Sequence, residues 1–221
     1  MQRRTLPPLL VWLPYIVLSI IHVIALATSS TLAEPTKLTL MPLLAVPVLA
    51  SASRLRSRVT LALLLAALLF SWLGDGAGTF FPAAPTLPLM LAAFGLAHVA
   101  YIILFTRFAP QRRLPRWTLI YAAWWIGMLL ALGPHVGALI IGVAAYGLVL
   151  AGTAATAARC GRLVMAGGAF FLASDTILAF RLFLPDAMPD WTSPAVMLTY
   201  ALGQGLIVAG LLRTFTRKET R

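Results

Sequence analysis

The chain has 221 residues, 61% of them hydrophobic and 10% charged, with a formal net charge of +11 and a mean hydropathy of +0.93. A soluble domain of this size needs a charged exterior, so the composition excludes one and points to helices packed within a membrane. The basic residues stand in small groups between apolar runs rather than on one solvated face, which excludes a nucleic-acid partner.

A helix needs about 20 apolar residues to cross a hydrocarbon core of roughly 30 Å. Eight runs approach that length, and they predict one all-α transmembrane domain over residues 1–221. The first, 8–27, follows MQRR and ends in Ala25-Leu26-Ala27, as a signal peptide does. Its apolar stretch from Leu9 to Ala27 is longer than a typical signal core, which favours a retained helix. His22, in the middle of it, reads as a hydrogen-bonded packing residue. The second run, 36–52, is short and interrupted by Pro42 and Pro47, which a membrane helix tolerates when neighbours satisfy the freed carbonyls. The third, 58–75, closes with FSWLGD. After it, Gly76-Ala77-Gly78 opens a flexible outer loop that continues through Pro82, Pro85 and Pro88.

The fourth run, 87–106, carries His98 and Tyr101, three apart and so on one face. The fifth, 116–132, holds Tyr121, Trp124 and Trp125, which read as packing or interface aromatics. His135, behind Gly133-Pro134, reads as a turn residue in a short outer loop. The sixth run, 135–158, is rich in Gly and Ala and suits close helix contact. Cys160 is the single cysteine, so there is no disulfide framework, and it has no catalytic role. The seventh run, 161–184, contains FFLASDTILAF at 170–180, and the eighth, 193–214, holds Tyr200 and Gln204 four apart.

Lys and Arg collect on the cytoplasmic side of a membrane. With the N-terminus inside, 15 of the 17 basic residues fall on that side: Arg3 and Arg4; Arg54, Arg56 and Arg58; Arg107, Arg112, Arg113 and Arg116; Arg159 and Arg162; Arg213, Arg217, Lys218 and Arg221. Lys37 and Arg181 are left for the outer side, with Glu34, Asp186 and Asp190. Eight spans with both termini cytoplasmic, in a bacterial inner membrane, is the resulting expectation.

Of six acidic residues, only Asp75 and Asp175 lie within apolar spans. At 1.5 Å per residue, Asp175 is about 20 Å from Arg162 and Asp75 about 25 Å from Arg58, so both sit in the outer half at similar depth. An ionisable group there costs about 2.5–3.5 kcal/mol on insertion scales and usually faces the bundle interior. FSWLGD and FFLASD each place the aspartate five residues after a phenylalanine, a faint sign of internal duplication. Ser71 stands four before Asp75 and Ser174 directly before Asp175, so both join His98, Tyr101, Tyr200 and Gln204 as groups able to bind or orient a substrate. No metal or cofactor is expected: the three histidines lack helically spaced acids, and no nucleophile elbow, phosphate loop or dinucleotide fingerprint is present.

The order LLFSWLGD, AHVAYIILF, FFLASDTILAF, TYALGQGLIVAG on the third, fourth, seventh and eighth spans resembles the YhhN-like family, which includes lysoplasmalogenases. In the second span Leu38 follows Thr36-Lys37 where the family pattern leads to proline. The resemblance implies a hydrolase that splits the vinyl ether bond of a lysoplasmalogen into a fatty aldehyde and a glycerophospho-base. It implies Asp75, His98, Tyr101, Asp175, Tyr200 and Gln204 as site residues. A vinyl ether is cleaved after protonation at carbon, which needs an acid and a group that stabilises positive charge and activates water. Two carboxyls in unlike environments can divide those tasks. Asp175, more deeply embedded, is the expected acid and Asp75 the ionised partner, with the reverse assignment still open. Arg181 can snorkel to the interface or pair with a lipid phosphate. Paired intramembrane acids also suit a proton-coupled transporter, and a non-catalytic lipid-binding protein could use them as helix locks.

Overall fold

A computed structural model describes residues 8–55, 57–109 and 113–216. Arg3, Arg4, Arg56, Arg112, Arg217, Lys218 and Arg221 of the expected inner charge set lie outside those residues. The nine α-helices among the described residues are α1 (Pro8–Ala27), α2 (Ala33–Ala50), α3 (Arg58–Asp75), α4 (Ala77–Phe80), α5 (Thr86–Ile103), α6 (Ile120–Val136), α7 (Ile140–Ala157), α8 (Arg162–Phe183) and α9 (Thr192–Phe215). Apart from the four-residue α4 these match the eight expected runs, so the fourth to eighth of those are α5 to α9.

Six stretches are long and apolar enough to cross a membrane by length and composition. One of them, Arg116–Ala157, is in fact two antiparallel helices. Gly137 breaks the chain at φ +59°, a conformation glycine adopts without steric cost. The Trp125 indole then donates to the Ala144 carbonyl across the hairpin at 2.9 Å. α2 is not among the six, because its first turns hold Glu34 and Lys37.

Several boundaries differ from expectation for local reasons. α2 begins at Ala33 rather than 36, which puts Glu34 on the helix and Lys37 a full turn inside it. Pro134 does not end α6, which runs on to Val136, so His135 is helical and exposed rather than a turn residue. Gly76 to Phe80 is not open loop either: Phe80 N–H bonds back to the Gly76 carbonyl at 2.7 Å and α4 forms. Pro88 belongs to the first turn of α5. Threonines inside the spans, such as Thr153, Thr176 and Thr199, return their hydroxyls to the carbonyl four residues back, which lets them sit in apolar helices.

Neighbouring helices close a ring in the order α1, α2, α3, α5, α7, α8, α9 and back to α1, with α6 packed outside on α7 and α8. α9 is the most enclosed span, with 61% of its window buried against 17–33% for the others, so polar side chains on it face protein rather than lipid. It packs closest on α8. A Cβ at Gly203 would lie 2.8 Å from Phe171 N, and one at Gly167 would lie 2.7 Å from Ile207 N. The small residues of α7 also allow close approach, since a Cβ at Gly168 would meet that of Ala157 at 2.8 Å.

One end of the ring gathers Arg54, Arg58, Arg107, Arg159, Arg162 and Arg213. There Leu55 pairs with Thr216 in an isolated antiparallel bridge, and the Cys160 thiol contacts the Phe105 carbonyl at 3.7 Å. Burial pushes the Cys160 thiol up to about 11, with Arg159 opposing, so it stays protonated at neutral pH. The other end holds Glu34, Lys37, Asp75, Arg181 and Asp190.

Candidate functional site

Both intramembrane aspartates point into the bundle, with side chains 4% (Asp75) and 9% (Asp175) exposed. Asp75 is the last residue of α3, and its carboxylate accepts the Tyr200 hydroxyl of α9 at 2.7 Å. Lys37 Nζ of α2 lies 3.9 Å from its other oxygen. Beneath this pair sits a closed polar network. Tyr101 donates to Gln204 Oε1 at 2.5 Å, and Gln204 Nε2 donates to Ser71 Oγ at 2.9 Å and reaches Tyr200 Oη at 3.5 Å. Those contacts fix which way the Gln204 amide points, and Tyr101, Ser71 and Gln204 are all fully buried.

Asp175 of α8 has its own setting. Its Oδ2 accepts the Tyr146 hydroxyl of α7 in a short hydrogen bond, and His98 Nε2 of α5 lies 3.8 Å away. Tyr146 Oη is 3.4 Å from the same His98 nitrogen. An aromatic layer separates the two aspartate settings. The Tyr200 ring stands edge-on to Phe171 and Phe94, with centroids 5.4 and 6.0 Å apart, and Phe171 in turn packs 4.6 Å from His98. The acids are thus joined through Tyr200, Phe171 and His98, not by a shared hydrogen bond.

His98 and Tyr101 therefore serve different acids although they share a helix face. Tyr200, Gln204 and Ser71 belong to the Asp75 network. Ser174 belongs to neither, because its hydroxyl is committed to the Val196 carbonyl of α9 at 2.9 Å. Trp124 donates to Thr176 at 3.1 Å and braces α6 on α8. Replacing Gln204 with Leu strands the Tyr101 and Ser71 hydroxyls in a dry interior, at about 1–3 kcal/mol for each unsatisfied group. The expected result is a clear drop in the melting temperature of the detergent-solubilised protein, and an unchanged one would show the network to be unimportant.

A cavity of about 430 Å³ opens beside Asp75 between α1, α2, α3, α4, α5, α8 and α9. Its walls are mainly apolar, through Leu26, Leu38, Met90, Leu178, Val196 and Met197, with His22, Glu34, Lys37, Asp75 and Arg181 as the main polar groups. Thr79 donates to Glu34 at 2.8 Å and ties α4 to α2 at its edge. Through Leu26, Ala33, Arg181 and Ser193 it adjoins a second, more polar cavity of about 560 Å³, which reaches Asp190 and Trp191. Asp175 lines two narrow apolar clefts of about 40 and 50 Å³. One shares Met90 and Leu178 with the large cavity. Among the described residues, no three His, Cys, Asp or Glu side chains converge as metal ligands would.

Three participants were not among the expected site residues. Tyr146 is a lone hydroxyl in the Gly- and Ala-rich α7, and the need of a buried phenol for a partner is the only trace it leaves in the sequence. Lys37 and His22 are visible as residues, but their place at the cavity depends on how α1 and α2 pack. Arg181 donates to Thr192 Oγ1 at 2.5 Å while facing both cavities.

No curated protein and no solved structure matches this sequence. A family model described as the YhhN family matches residues 32–211. That span includes both aspartates, Tyr146, Tyr200 and Gln204, and the chain belongs to the YhhN family.

Proposed function

We propose that the protein is a membrane-embedded hydrolase that cleaves the vinyl ether bond of lysoplasmalogen-type lysophospholipids, with both termini on the cytoplasmic side of a bacterial inner membrane. The observation that carries this reading is a carboxylate held by a tyrosine at the wall of an amphiphilic cavity, with a second tyrosine-held carboxyl behind the same wall. A single-chain phospholipid matches such a space. Its phosphate pairs with Arg181 and Lys37 towards the polar outer cavity, and its hydrocarbon follows Met90 and Leu178 towards the clefts by Asp175.

The chemistry then divides between the acids. Asp175, set among apolar groups with only Tyr146 and His98 as polar neighbours, supplies the proton to the vinyl carbon β to the ether oxygen. The resulting oxocarbenium ion is stabilised by the Asp75 carboxylate, which also takes a proton from the attacking water. Lys37 beside Asp75 stabilises negative charge there between turnovers. The hemiacetal then collapses to the fatty aldehyde and the free glycerophospho-base as Asp75 returns its proton to the leaving oxygen and Asp175 takes the hydroxyl proton, which restores both acids. Tyr146 and Tyr200 hold the two carboxyls in position, while Gln204, Tyr101 and Ser71 hold Tyr200.

The test is incubation of the purified protein with 1-alkenyl- and 1-alkyl-glycerophosphoethanolamine. The alkenyl lipid is expected to release a fatty aldehyde and the alkyl lipid to remain intact, because a saturated ether offers no carbon to protonate. Absence of aldehyde from alkenyl ethanolamine and choline lipids alike would rule the reading out. Substrate flux into proteoliposomes without aldehyde would favour a carrier instead.

A further inference from the structure

His22 is 1% exposed on α1 and lines the Asp75 cavity, yet its Nε2 has no hydrogen-bond partner in the protein. Buried polar atoms are nearly always paired, so one without a protein partner at a cavity wall points to a ligand. Which ligand depends on whether Nε2 donates or accepts, and the neighbouring contacts decide that. His22 Nδ1 lies 2.8 Å from Thr36 Oγ1. The Thr36 hydroxyl has one hydrogen, and its other neighbours are the Leu32 and Ala33 carbonyls at 2.5 and 3.1 Å, which can only accept. Thr36 therefore spends its hydrogen on the backbone, and its oxygen must accept from His22 Nδ1–H. In the neutral ring this leaves Nε2 as a bare acceptor.

An acceptor needs a donor. Phosphate, ether and ester oxygens supply none, and an ammonium in the same cavity is drawn to the Glu34 and Asp75 carboxylates rather than to a neutral imidazole. A neutral hydroxyl remains. On a glycerophospholipid with one chain that donor is the free hydroxyl of the glycerol, and a second acyl chain would remove it. The geometry points to His22 as the group that reads the free glycerol hydroxyl and so selects single-chain lipids over two-chain ones. This inference rests on the lysolipid reading of the cavity. His22 precedes the family-matched segment, which starts at residue 32, so the device belongs to this chain's own first helix.

The experiment measures binding of a non-hydrolysable 1-O-alkyl-glycerophosphoethanolamine and of its 2-deoxy counterpart to the purified full chain in detergent. One lost hydrogen bond to a buried acceptor corresponds to about tenfold in affinity. Wild type is expected to prefer the hydroxyl-bearing lipid by that factor. His22→Asn can still donate to Thr36 but has no Nε2, so the preference is expected to fall to near unity while the melting temperature stays close to wild type. Thr36→Val, which frees the ring to change tautomer, is expected to weaken the preference as well. Equal binding of the two lipids by wild type overturns the inference, as does a full preference retained in His22→Asn, or no binding of either lipid. A preference in wild type without aldehyde release from alkenyl lipids would remove the proposed reaction and leave this recognition standing. Aldehyde release without the preference would do the reverse.

Discussion

Asp75→Asn and Asp175→Asn are each expected to lower kcat/KM for an alkenyl lysolipid by about 10²–10⁴-fold, the usual worth of a positioned acid or base. Asparagine has the shape of aspartate, and its carbonyl can still accept from Tyr200 or Tyr146, so the hydrogen bonds that seat each side chain survive. What disappears, on the proposed division of roles, is the proton donated from position 175 and the negative charge at position 75. The Lys37 contact is also lost in Asp75→Asn, but Lys37 is 36% exposed and can turn to water. Melting temperatures of both variants should therefore stay within a few degrees of wild type. Full activity in both would end the two-acid mechanism. Loss of folding in place of activity would instead make the aspartates helix locks.

Gly203→Val is expected to cost the most stability of any single change discussed. A Cβ there would meet Phe171 N at 2.8 Å and both Gly167 O and Phe171 Cα at 3.1 Å, all backbone atoms. No rotamer relieves a clash with backbone, so α8 and α9 must part. Overpacking typically costs about 1–3 kcal/mol and can cost more where nothing can yield. Tyr200 and Gln204 are three residues before and one after this contact, so parting the helices also loosens the Asp75 site. Activity should fall together with stability. Gly127→Ala is the control, because a Cβ at Gly127 meets nothing within 4 Å. Thermal aggregation of both variants in detergent checks the pair, and a Gly203→Val protein that melts like wild type would contradict the close-packed α8–α9 interface.

The long helices were legible because apolar runs of about 20 residues announce themselves one at a time, whatever they pack against. The errors fell where a local signal was overruled by neighbours. Glu34 looks like a loop residue and Lys37 like the edge of a span, but in the first turns of α2 they reach Thr79 and Asp75 on the chain that follows. Pro134 looks like a stop, yet α6 continues for two more residues. His98 and Tyr101 share a face by helical period. Three residues is also about 4.5 Å of rise and a 60° offset, enough for one to meet α7 and α8 and the other α9. The inward orientation of both aspartates followed from the cost of charge in lipid. Their tyrosine partners could not be read the same way, since Tyr146 is 29 residues before Asp175 and Tyr200 is 125 after Asp75. The cavity is made by seven helices, so no single stretch of sequence carries it.

The most direct test of the central claim is to run the reaction of purified protein with an alkenyl lysophospholipid in deuterated water and trap the aldehyde for mass spectrometry. Acid-catalysed cleavage predicts aldehyde and glycerophospho-base in equal amounts, with one deuterium on the carbon next to the aldehyde group, delivered as the vinyl carbon is protonated. No aldehyde, or an aldehyde whose adjacent carbon has taken up no deuterium, would contradict it.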